Sequence, residues 1–271
     1  MIIRTVIEDN IEGEGLCAEH GLCVYIETAG HRLFVDSGQS EKTWDNAERM
    51  GIDIEAVDTM ILSHGHYDHS GGIKSFMERN SKARIYIREG ADGDFYSKRT
   101  DGMHYIGIDK DIATSVRTET VRGDVTLDKE LSLFGNVSGR KMWPAGNDLL
   151  FEKGKDVYIP DEFEHEQYLV VRERDELVLI SGCAHKGIVN ILERFKEIYN
   201  CDPAMVISGF HTIRKSYDES DICNMKELAN VLNERDTVFY TGHCTDLIPF
   251  RAMKEIMGDK LKALSELNLS H

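Results

Sequence analysis

Three histidines and one aspartate within six consecutive residues constrain this chain more than any other feature. They are His64, His66, Asp68 and His69, and they follow directly after the apolar run at residues 60–62. In an extended strand, residues i and i+2 point to the same side, so the first two histidines can bind one metal ion where the strand ends. The aspartate and the third histidine lie in the turn that follows and can face a second ion. Imidazole and carboxylate ligands suit zinc and also accept iron, manganese or nickel, so the pattern predicts a metal site.

The residues around this loop have the pattern of a strand that turns into a helix. Residues 59–62 predict the buried strand that delivers the loop, and residues 73–79 predict the helix that follows. Gly71 and Gly72 stand between them. We expect this pair to provide a tight turn, because glycine tolerates backbone angles that other residues avoid.

The length and composition are those of a globular protein. With 271 residues, of which 41% are hydrophobic, the chain can bury a sizeable core. It carries 48 acidic and 32 basic residues, for a formal net charge of −16, and such a surface repels polyanions. We therefore expect a small-molecule substrate and no nucleic-acid partner. A small phosphorylated substrate is compatible with this charge, because it needs only one or two local cations.

The first ten residues predict a strand followed by an acidic turn. They lack the apolar core and the small-residue cleavage site of a signal peptide, and no apolar run approaches the length needed to span a membrane. The six cysteines are scattered without a C-x-x-C pair, so free thiols in a reducing compartment are expected. These observations predict a cytoplasmic protein without a membrane partner. We assign no oligomeric state.

Regular patterns cover both ends of the chain and loosen in the middle. The predicted elements near the N-terminus are strands at 22–27, 31–35 and 83–88 and a helix at 41–50. From about residue 89 to 160 short apolar runs are mixed with many charges. We interpret this segment as an elaboration of a single domain at 1–271, which covers the site and shapes the substrate pocket. His104, its only histidine, receives no role.

Three later strands also end in turns that carry a histidine. The strands are predicted at 176–181, 204–207 and 237–240, and the turns after them carry His185, His211 and His243. Each turn is followed by a predicted helix, so these histidines are expected at one edge of a sheet, near the first loop.

Catalytic zinc usually has three protein ligands, and the histidines of the later turns can complete two such sets. The expected ligands are His64, His66 and His185 for the first ion and Asp68, His69 and His243 for the second. His211 is a further candidate, either as a ligand or as a catalytic residue whose neutral imidazole donates a hydrogen bond to the substrate.

Several short motifs lie at or near the predicted strand ends, and one lies in the predicted helix at 41–50. They are Glu19-His20-Gly21, Asp36-Ser37-Gly38-Gln39, Asn46-Ala47, His64-Gly65-His66-Tyr67-Asp68-His69, Gly182-Cys183-Ala184-His185, Gly209-Phe210-His211 and Thr241-Gly242-His243-Cys244-Thr245. Together they resemble the metallo-β-lactamase superfamily over roughly residues 10–88 and 160–250. This resemblance implies an α/β protein with the metallo-β-lactamase-like αββα sandwich, in which two mixed sheets carry outer helices. Within the superfamily the motifs look like the branch that includes the archaeal 7,8-dihydropterin-6-methyl-4-(β-D-ribofuranosyl)aminobenzene-5'-phosphate synthase and related metal-dependent hydrolases.

The resemblance also bears on residues outside the histidine set. We call residues 63–69 the metal loop. The resemblance implies that Asp36 supports this loop through contacts with its ligand residues and does not itself bind the metal. Lactamase-like hydrolases usually place a bridging carboxylate at the strand end where this chain has Cys183. Either Cys183 or His185 takes that place, or the bridge is missing, and a small buried hydrophobe is an equal alternative for Cys183. Cys244 is expected to point into the core. Ser208 and Asp246 depart from the branch, where glycine is usual.

The function implied by the resemblance is that of a metal-dependent hydrolase with two divalent ions, for which zinc is expected and manganese or iron are alternatives. Metal-bound hydroxide would attack a small anionic substrate, and Asp68 would hold the second ion and orient the nucleophile. A transferase that uses a dihydropterin diphosphate and releases diphosphate is the first alternative. A metal-binding protein without catalysis is the second.

Overall fold

The structure is a computed structural model, and it describes residues 1–11 and 13–270. Its strands, in chain order, are β1 (Ile2–Ile7), β2 (Cys23–Glu27), β3 (Arg32–Val35), β4 (Thr59–Ile61), β5 (Arg84–Arg88), β6 (Phe95–Arg99), β7 (Gly102–Tyr105), β8 (Thr118–Val121), β9 (Val125–Thr126), β10 (Leu131–Phe134), β11 (Leu150–Lys153), β12 (Tyr158–Pro160), β13 (Tyr168–Glu173), β14 (Glu176–Ile180), β15 (Met205–Ile207), β16 (Val238–Thr241), β17 (Leu261–Ala263) and β18 (Asn268–Ser270). Its helices are α1 (Lys42–Arg49), α2 (Tyr67–Ser70), α3 (Ile73–Arg79), α4 (Lys110–Thr114), α5 (Ile188–Tyr199), α6 (Glu219–Asn233) and α7 (Leu247–Met257). Within the described residues, none of these helices combines the length and the apolar character that a membrane crossing requires.

Two seven-stranded sheets form the centre of the molecule. The first has the strand order β18-β1-β2-β3-β4-β5-β8, and the second has the order β17-β16-β15-β14-β13-β10-β9. Both sheets are mixed. β3, β4, β5 and β8 run parallel in the first sheet, and β14 to β17 run parallel in the second, whereas the other neighbours are antiparallel.

Apolar side chains pack on both faces of each sheet, which produces four layers. Val24 and Ile26 of β2 lie in the core between the sheets, whereas Tyr25 between them faces outward, as the two-residue period of a strand requires. On that outer face the first sheet is covered by Trp44 of α1 and Phe76 of α3. Helices α5, α6 and α7 cover the outer face of the second sheet. The αββα sandwich predicted from the sequence is confirmed.

The segment at 89–160, whose pattern is loose in the sequence, contributes strands to three sheets. β8 joins the first sheet, β9 and β10 join the second, and the other strands form a separate sheet with the order β12-β11-β6-β7. Phe95 of β6 packs with Phe163 in a small apolar cluster beside this sheet. Gly107 pairs with His66 through an isolated bridge. The four-stranded sheet therefore lies directly against the metal loop.

The histidine-bearing turns meet at one edge of the sandwich. The metal loop follows β4, and the later turns follow β14, β15 and β16. Parallel neighbours bring their carboxyl ends to the same edge, where α/β proteins commonly bind ligands. A backbone hydrogen bond of 2.8 Å from Gln167 N to Ser63 O connects the metal loop to the start of β13. The two sheets are thus joined at the place where the turns converge.

Gly71 and Gly72 form the turn from α2 into α3 that the sequence predicts, but close packing, and not backbone freedom, requires glycine there. Their φ angles are −63° and −82°, which any residue can adopt. The space beside them is closed, because a Cβ on Gly71 would lie 2.1 Å from Gln39 O and one on Gly72 would lie 2.3 Å from Ser37 O. The two glycines let the metal loop approach the backbone that follows β3.

Gly71→Ala should lower the free energy of unfolding by about 1–3 kcal/mol, because an added methyl group must displace backbone in a tightly packed region. Urea titration followed by circular dichroism measures this free energy. Gly154→Ala is the matched control, since the nearest atom to its added Cβ is Val157 O at 3.5 Å. Equal stability of the two variants would contradict the close approach at Gly71.

Candidate metal centre

Two groups of ligand atoms face each other at this edge. In the first group, His64 Nε2 lies 3.3 Å from His185 Nε2. In the second group, His69 Nε2 lies 3.2 Å from His243 Nε2, although the two residues are 174 positions apart in the chain. Asp68 Oδ2 lies 3.5 Å from His69 Nε2 and 3.4 Å from His243 Nε2. All five side chains are buried.

Cys183 lies between the two groups. Its Sγ is 3.2 Å from His69 Nε2 and within 4.8 Å of ligand atoms of His64 and His185. Burial raises the pKa of the Cys183 thiol, so a nearby cation is needed to form the thiolate. The sequence leaves open whether Cys183 or His185 takes the bridging place. The position of Cys183 Sγ between the two ligand groups favours Cys183.

His66 stands beside the first group. Its ring centre is 4.6 Å from that of His64 and 4.9 Å from that of His185. The rings of Phe95 and Phe163 pack against it. His66 Nε2 is buried and has no hydrogen-bond partner among the residues that the structure describes. A buried nitrogen in this state requires an explanation.

A fixed acceptor holds Nδ1 of the other four histidines. Nδ1 of His69 is 2.6 Å from Asp36 Oδ2, that of His243 is 2.6 Å from Asp9 Oδ1, that of His185 is 3.0 Å from Asn147 Oδ1 and that of His64 is 2.8 Å from Ser63 Oγ. Carboxylate and amide oxygens only accept, so the histidine donates in the first three pairs. The Ser63 hydroxyl donates to Asp36 Oδ2 at 2.7 Å and can therefore accept from His64. In every case Nε2 is the nitrogen that faces the centre.

The protonation states suit metal binding. Burial lowers the pKa of His64 and of His185 well below the ordinary value, and it lowers the pKa of His66 to about 3. Burial acts to raise the pKa of Asp68, but His69 and His243 outweigh it and hold this pKa well below its usual range. The first three imidazoles are therefore neutral and the carboxylate is charged at neutral pH.

His243 is the exception among the histidines. Burial acts to lower its pKa, but hydrogen bonds with the carboxylates of Asp68 and Asp9 outweigh burial and raise this pKa well above the ordinary value. A cation that binds beside Asp68 must displace the proton from His243 Nε2, because a metal ligand has to be deprotonated.

The geometry and protonation of His64 and His185 indicate whether these residues suit a metal ion. Both rings are neutral, both donate through Nδ1, and their Nε2 atoms face each other at 3.3 Å without a proton to share. His66 Nε2 also has no partner in the described part of the chain, and a ligand atom of His66 lies within 4.8 Å of ligand atoms of Asp161 and His165. Facing lone pairs repel, and a cation turns this repulsion into attraction. Imidazole, carboxylate and thiolate donors are those of zinc and related divalent ions, so the residues fit such a metal.

The backbone around the centre is strained. Asp36, Ala184, His211 and His243 have φ angles of 62°, 53°, 47° and 50°, a region that residues other than glycine rarely adopt. All four lie in the turns that follow strands bordering the centre. Such conformations persist only where the surroundings impose them, and they cluster at functional sites.

Four residues at the centre have no role in the sequence-based prediction. They are Asp9 and Asn147, which hold His243 and His185, and the pair Asp161 and His165. His165 accepts from Gly65 N at 3.0 Å and donates to Asp161 Oδ2 at 3.0 Å, so it positions the metal loop. Only Asp9 carries a signal in the sequence, because it lies in the acidic turn after β1. Asn147 and His165 lie in or beside the loose segment.

His211 borders the centre instead of joining either group. Its ring centre is 4.2 Å from that of His185, and one of its nitrogens is within 4.8 Å of the sulfurs of Cys183 and Cys244. Cys244 is buried, as expected, and its Sγ accepts from His211 N at 3.3 Å. His211 is in position to contact a substrate beside the first group, and its catalytic role stays a prediction.

The family model of the metallo-beta-lactamase superfamily matches residues 18–216. The chain belongs to this superfamily. The matched residues include the metal loop and the strand end that carries Cys183 and His185, so the resemblance drawn from the motifs is confirmed.

Known relatives extend over most of the chain. An uncharacterized protein of Methanocaldococcus jannaschii is 27% identical, over 93% of this chain and 92% of that protein. The 7,8-dihydropterin-6-methyl-4-(beta-D-ribofuranosyl)-aminobenzene-5'-phosphate synthase of the same organism is 25% identical, over 84% of this chain and 81% of that protein. The crystal structure of Tm1679, described as a metal-dependent hydrolase of the beta-lactamase superfamily, has a TM-score of 0.82 and 29% identity, over 100% of this chain and 99% of that one. The chain thus has the fold of Tm1679.

Asp36→Asn should lower the affinity for a divalent metal by about 10- to 100-fold, which is typical when the hydrogen-bond partner of a ligand is changed. Asp36 Oδ1 accepts from Ser63 N, whereas Oδ2 accepts from Ser63 Oγ and His69 Nδ1, so an amide, which has a single oxygen, cannot accept at both positions. Competition with a chromogenic chelator measures the affinity. Asp53→Asn is the matched control, because Asp53 only caps a turn by accepting from Ala56 N at 3.2 Å. Unchanged affinity in Asp36→Asn would mean that Asp36 does not orient His69.

Proposed function

We propose that this protein is a hydrolase that depends on two divalent metal ions and acts on a small anionic substrate. The observation that carries the proposal is the pair of ligand groups on either side of Cys183. Membership of the superfamily supports it, as does the similarity to Tm1679.

The proposed ligands are those expected from the sequence. His64, His66 and His185 would hold the first ion, Asp68, His69 and His243 would hold the second, and Cys183 would lie between them. Zinc suits the nitrogen and sulfur donors best, and manganese or iron are the alternatives. A bound divalent ion lowers the pKa of its water to about 7 and so supplies hydroxide at neutral pH.

The residues of the chain would contribute orientation and charge. The ionised carboxylate of Asp68 is proposed to orient the attacking water. The His211 imidazole, whose ring lies against that of His185, is proposed to donate a hydrogen bond to the substrate. The rings of Phe95 and Phe163 cover part of His66 and shield it from water, which strengthens electrostatic interactions inside the centre.

The substrate is proposed to be a small molecule and not a nucleic acid, because the net charge is −16 and polyanion binding requires clustered basic residues. A cytoplasmic location is part of the proposal. It is supported by the six cysteines, all of which lie in the described ranges and are free.

A transferase is the second candidate, and the 25% identity with the M. jannaschii synthase favours it. The two candidates separate on one assay. Diphosphate release from a pterin diphosphate that occurs only when an arylamine acceptor is present supports transfer, whereas turnover of generic esters or phosphodiesters supports hydrolysis. Full metal content without turnover in either assay would support a metal-binding protein without catalysis.

Protein purified without chelators should contain up to two transition-metal ions per chain. The buried neutral nitrogens leave the ligand groups poorly satisfied unless a cation is bound. Elemental analysis measures the content, before and after dialysis against a chelator and after addition of zinc or manganese. A protein that contains no metal and takes up neither ion would overturn the proposed function.

His185→Ala should reduce metal affinity, because it removes a donor atom of the first group. The loss should far exceed the roughly 100-fold that is the usual maximum when only the hydrogen-bond partner of a ligand is mutated. His104→Ala is the control, since His104 pairs with Asp101 at the surface. Occupancy of each variant is measured by elemental analysis after dialysis. Two bound ions in His185→Ala would exclude His185 as a ligand, and His211 would become the next candidate.

Cys183→Ser should lose chiefly one ion if the Cys183 thiolate lies between two. The cobalt-substituted protein should show a thiolate charge-transfer band that disappears in Cys183→Ser and persists in Cys201→Ser, in which the changed cysteine is exposed. A protein without this band, and a serine variant with full occupancy, would mean that Cys183 only packs.

A further inference from the structure

A cavity of about 320 Å³ opens beside His211. Its walls are the segment at 142–146, the turn at 210–214 and one face of α6. His211 therefore belongs both to this cavity and to the border of the metal centre. A space of this size is at the lower end of small-molecule sites and can hold a group of one or two fused rings.

Most of the cavity wall is apolar. Trp143, Phe210, Met225 and Leu228 line it. The Arg140 guanidinium lies 4.4 Å from the centre of the Trp143 ring, so the indole is held in place. A flat, apolar group can pack against such walls with little loss of side-chain entropy.

The charges of the cavity are unfavourable for an anion. Asp221 and Glu227 line it, and the one lining arginine, Arg214, forms an ion pair of 2.9 Å with Asp221. The anionic group of a substrate would be repelled here, whereas an uncharged group would not.

We propose that this cavity binds an uncharged, flat ring system of the substrate, and that His211 lies where this ring joins the reacting group. The ring packs against Trp143, and the anionic group lies toward the metal ligands. This inference rests on the proposed function for the reacting group but concerns a different part of the molecule.

The experiment measures the dissociation constants of three probes by ligand-observed NMR on the full chain as purified. Quinazolin-4-one and toluene are flat and uncharged, and benzoate is a charged ring. We expect the two uncharged probes to bind in the cavity more tightly than benzoate does. Benzoate binding that is equally tight, and that filling the cavity by Asn224→Phe weakens to the same extent, would overturn the assignment to an uncharged ring.

A matched pair of variants on α6 locates the site. Asn224 is exposed and lines the cavity, whereas Asn230 is exposed on the same helix outside the cavity. Asn224→Phe should weaken quinazolin-4-one binding by about tenfold or more, because the ring fills the space, and Asn230→Phe should not. Equal binding by the two variants would place the probe elsewhere and overturn the proposal.

Elemental analysis of the same samples keeps the two proposals apart. Metal without probe binding contradicts only the cavity assignment, and probe binding without any metal contradicts only the proposed function.

Discussion

Two buried imidazole nitrogens, His64 Nε2 and His185 Nε2, face each other at 3.3 Å with no proton between them, and much of the structure around them follows from this contact. Each ring is turned inward because its Nδ1 is bound to a fixed acceptor, Ser63 Oγ in one case and Asn147 Oδ1 in the other. Burial keeps the pKa of both histidines low, so neither can relieve the repulsion by taking up a proton. A bound cation would relieve this repulsion, and the second group, built around Asp68, contributes a charged oxygen.

Strained backbone conformations around the centre raise the free energy of the folded protein. Strand ends have to place short side chains and imidazoles within a few ångströms of one another, and Asp36, Ala184 and His243 adopt positive φ angles to do so. The metal loop can reach the turn after β3 only because Gly71 and Gly72 have no Cβ. Conformations of this kind are retained when the surrounding sheets hold them, and both sheets here are covered by helices and have central strands that are mostly buried.

The metal centre and the neighbouring cavity present different kinds of side chains. The centre offers neutral nitrogens, a carboxylate and a thiol, which suit cations and the anions that cations attract. The cavity offers Trp143, Phe210 and Met225 together with the carboxylates of Asp221 and Glu227, which suit an uncharged ring. His211 touches both. The proposed substrate for this chain, whose net charge is −16, is therefore a small molecule with its negative charge confined to one end.

The sequence by itself determined the parts that depend on local order. The spacing of His64, His66, Asp68 and His69 after an apolar strand predicts a metal loop, and alternating strands and helices with recurring turn motifs lead to the superfamily and its sandwich, because periodicity and ligand spacing are properties of neighbouring residues. Tertiary structure alone decided the rest. Only in the folded structure does Cys183 lie between the two groups. The hydrogen bonds of His243 with Asp9 and of His185 with Asn147, and the strands that residues 89–160 add to three sheets, likewise depend on the folded structure. These contacts join positions tens to hundreds of residues apart. No local pattern encodes such pairings, since they arise only when the packing of two sheets brings the strand ends to one edge.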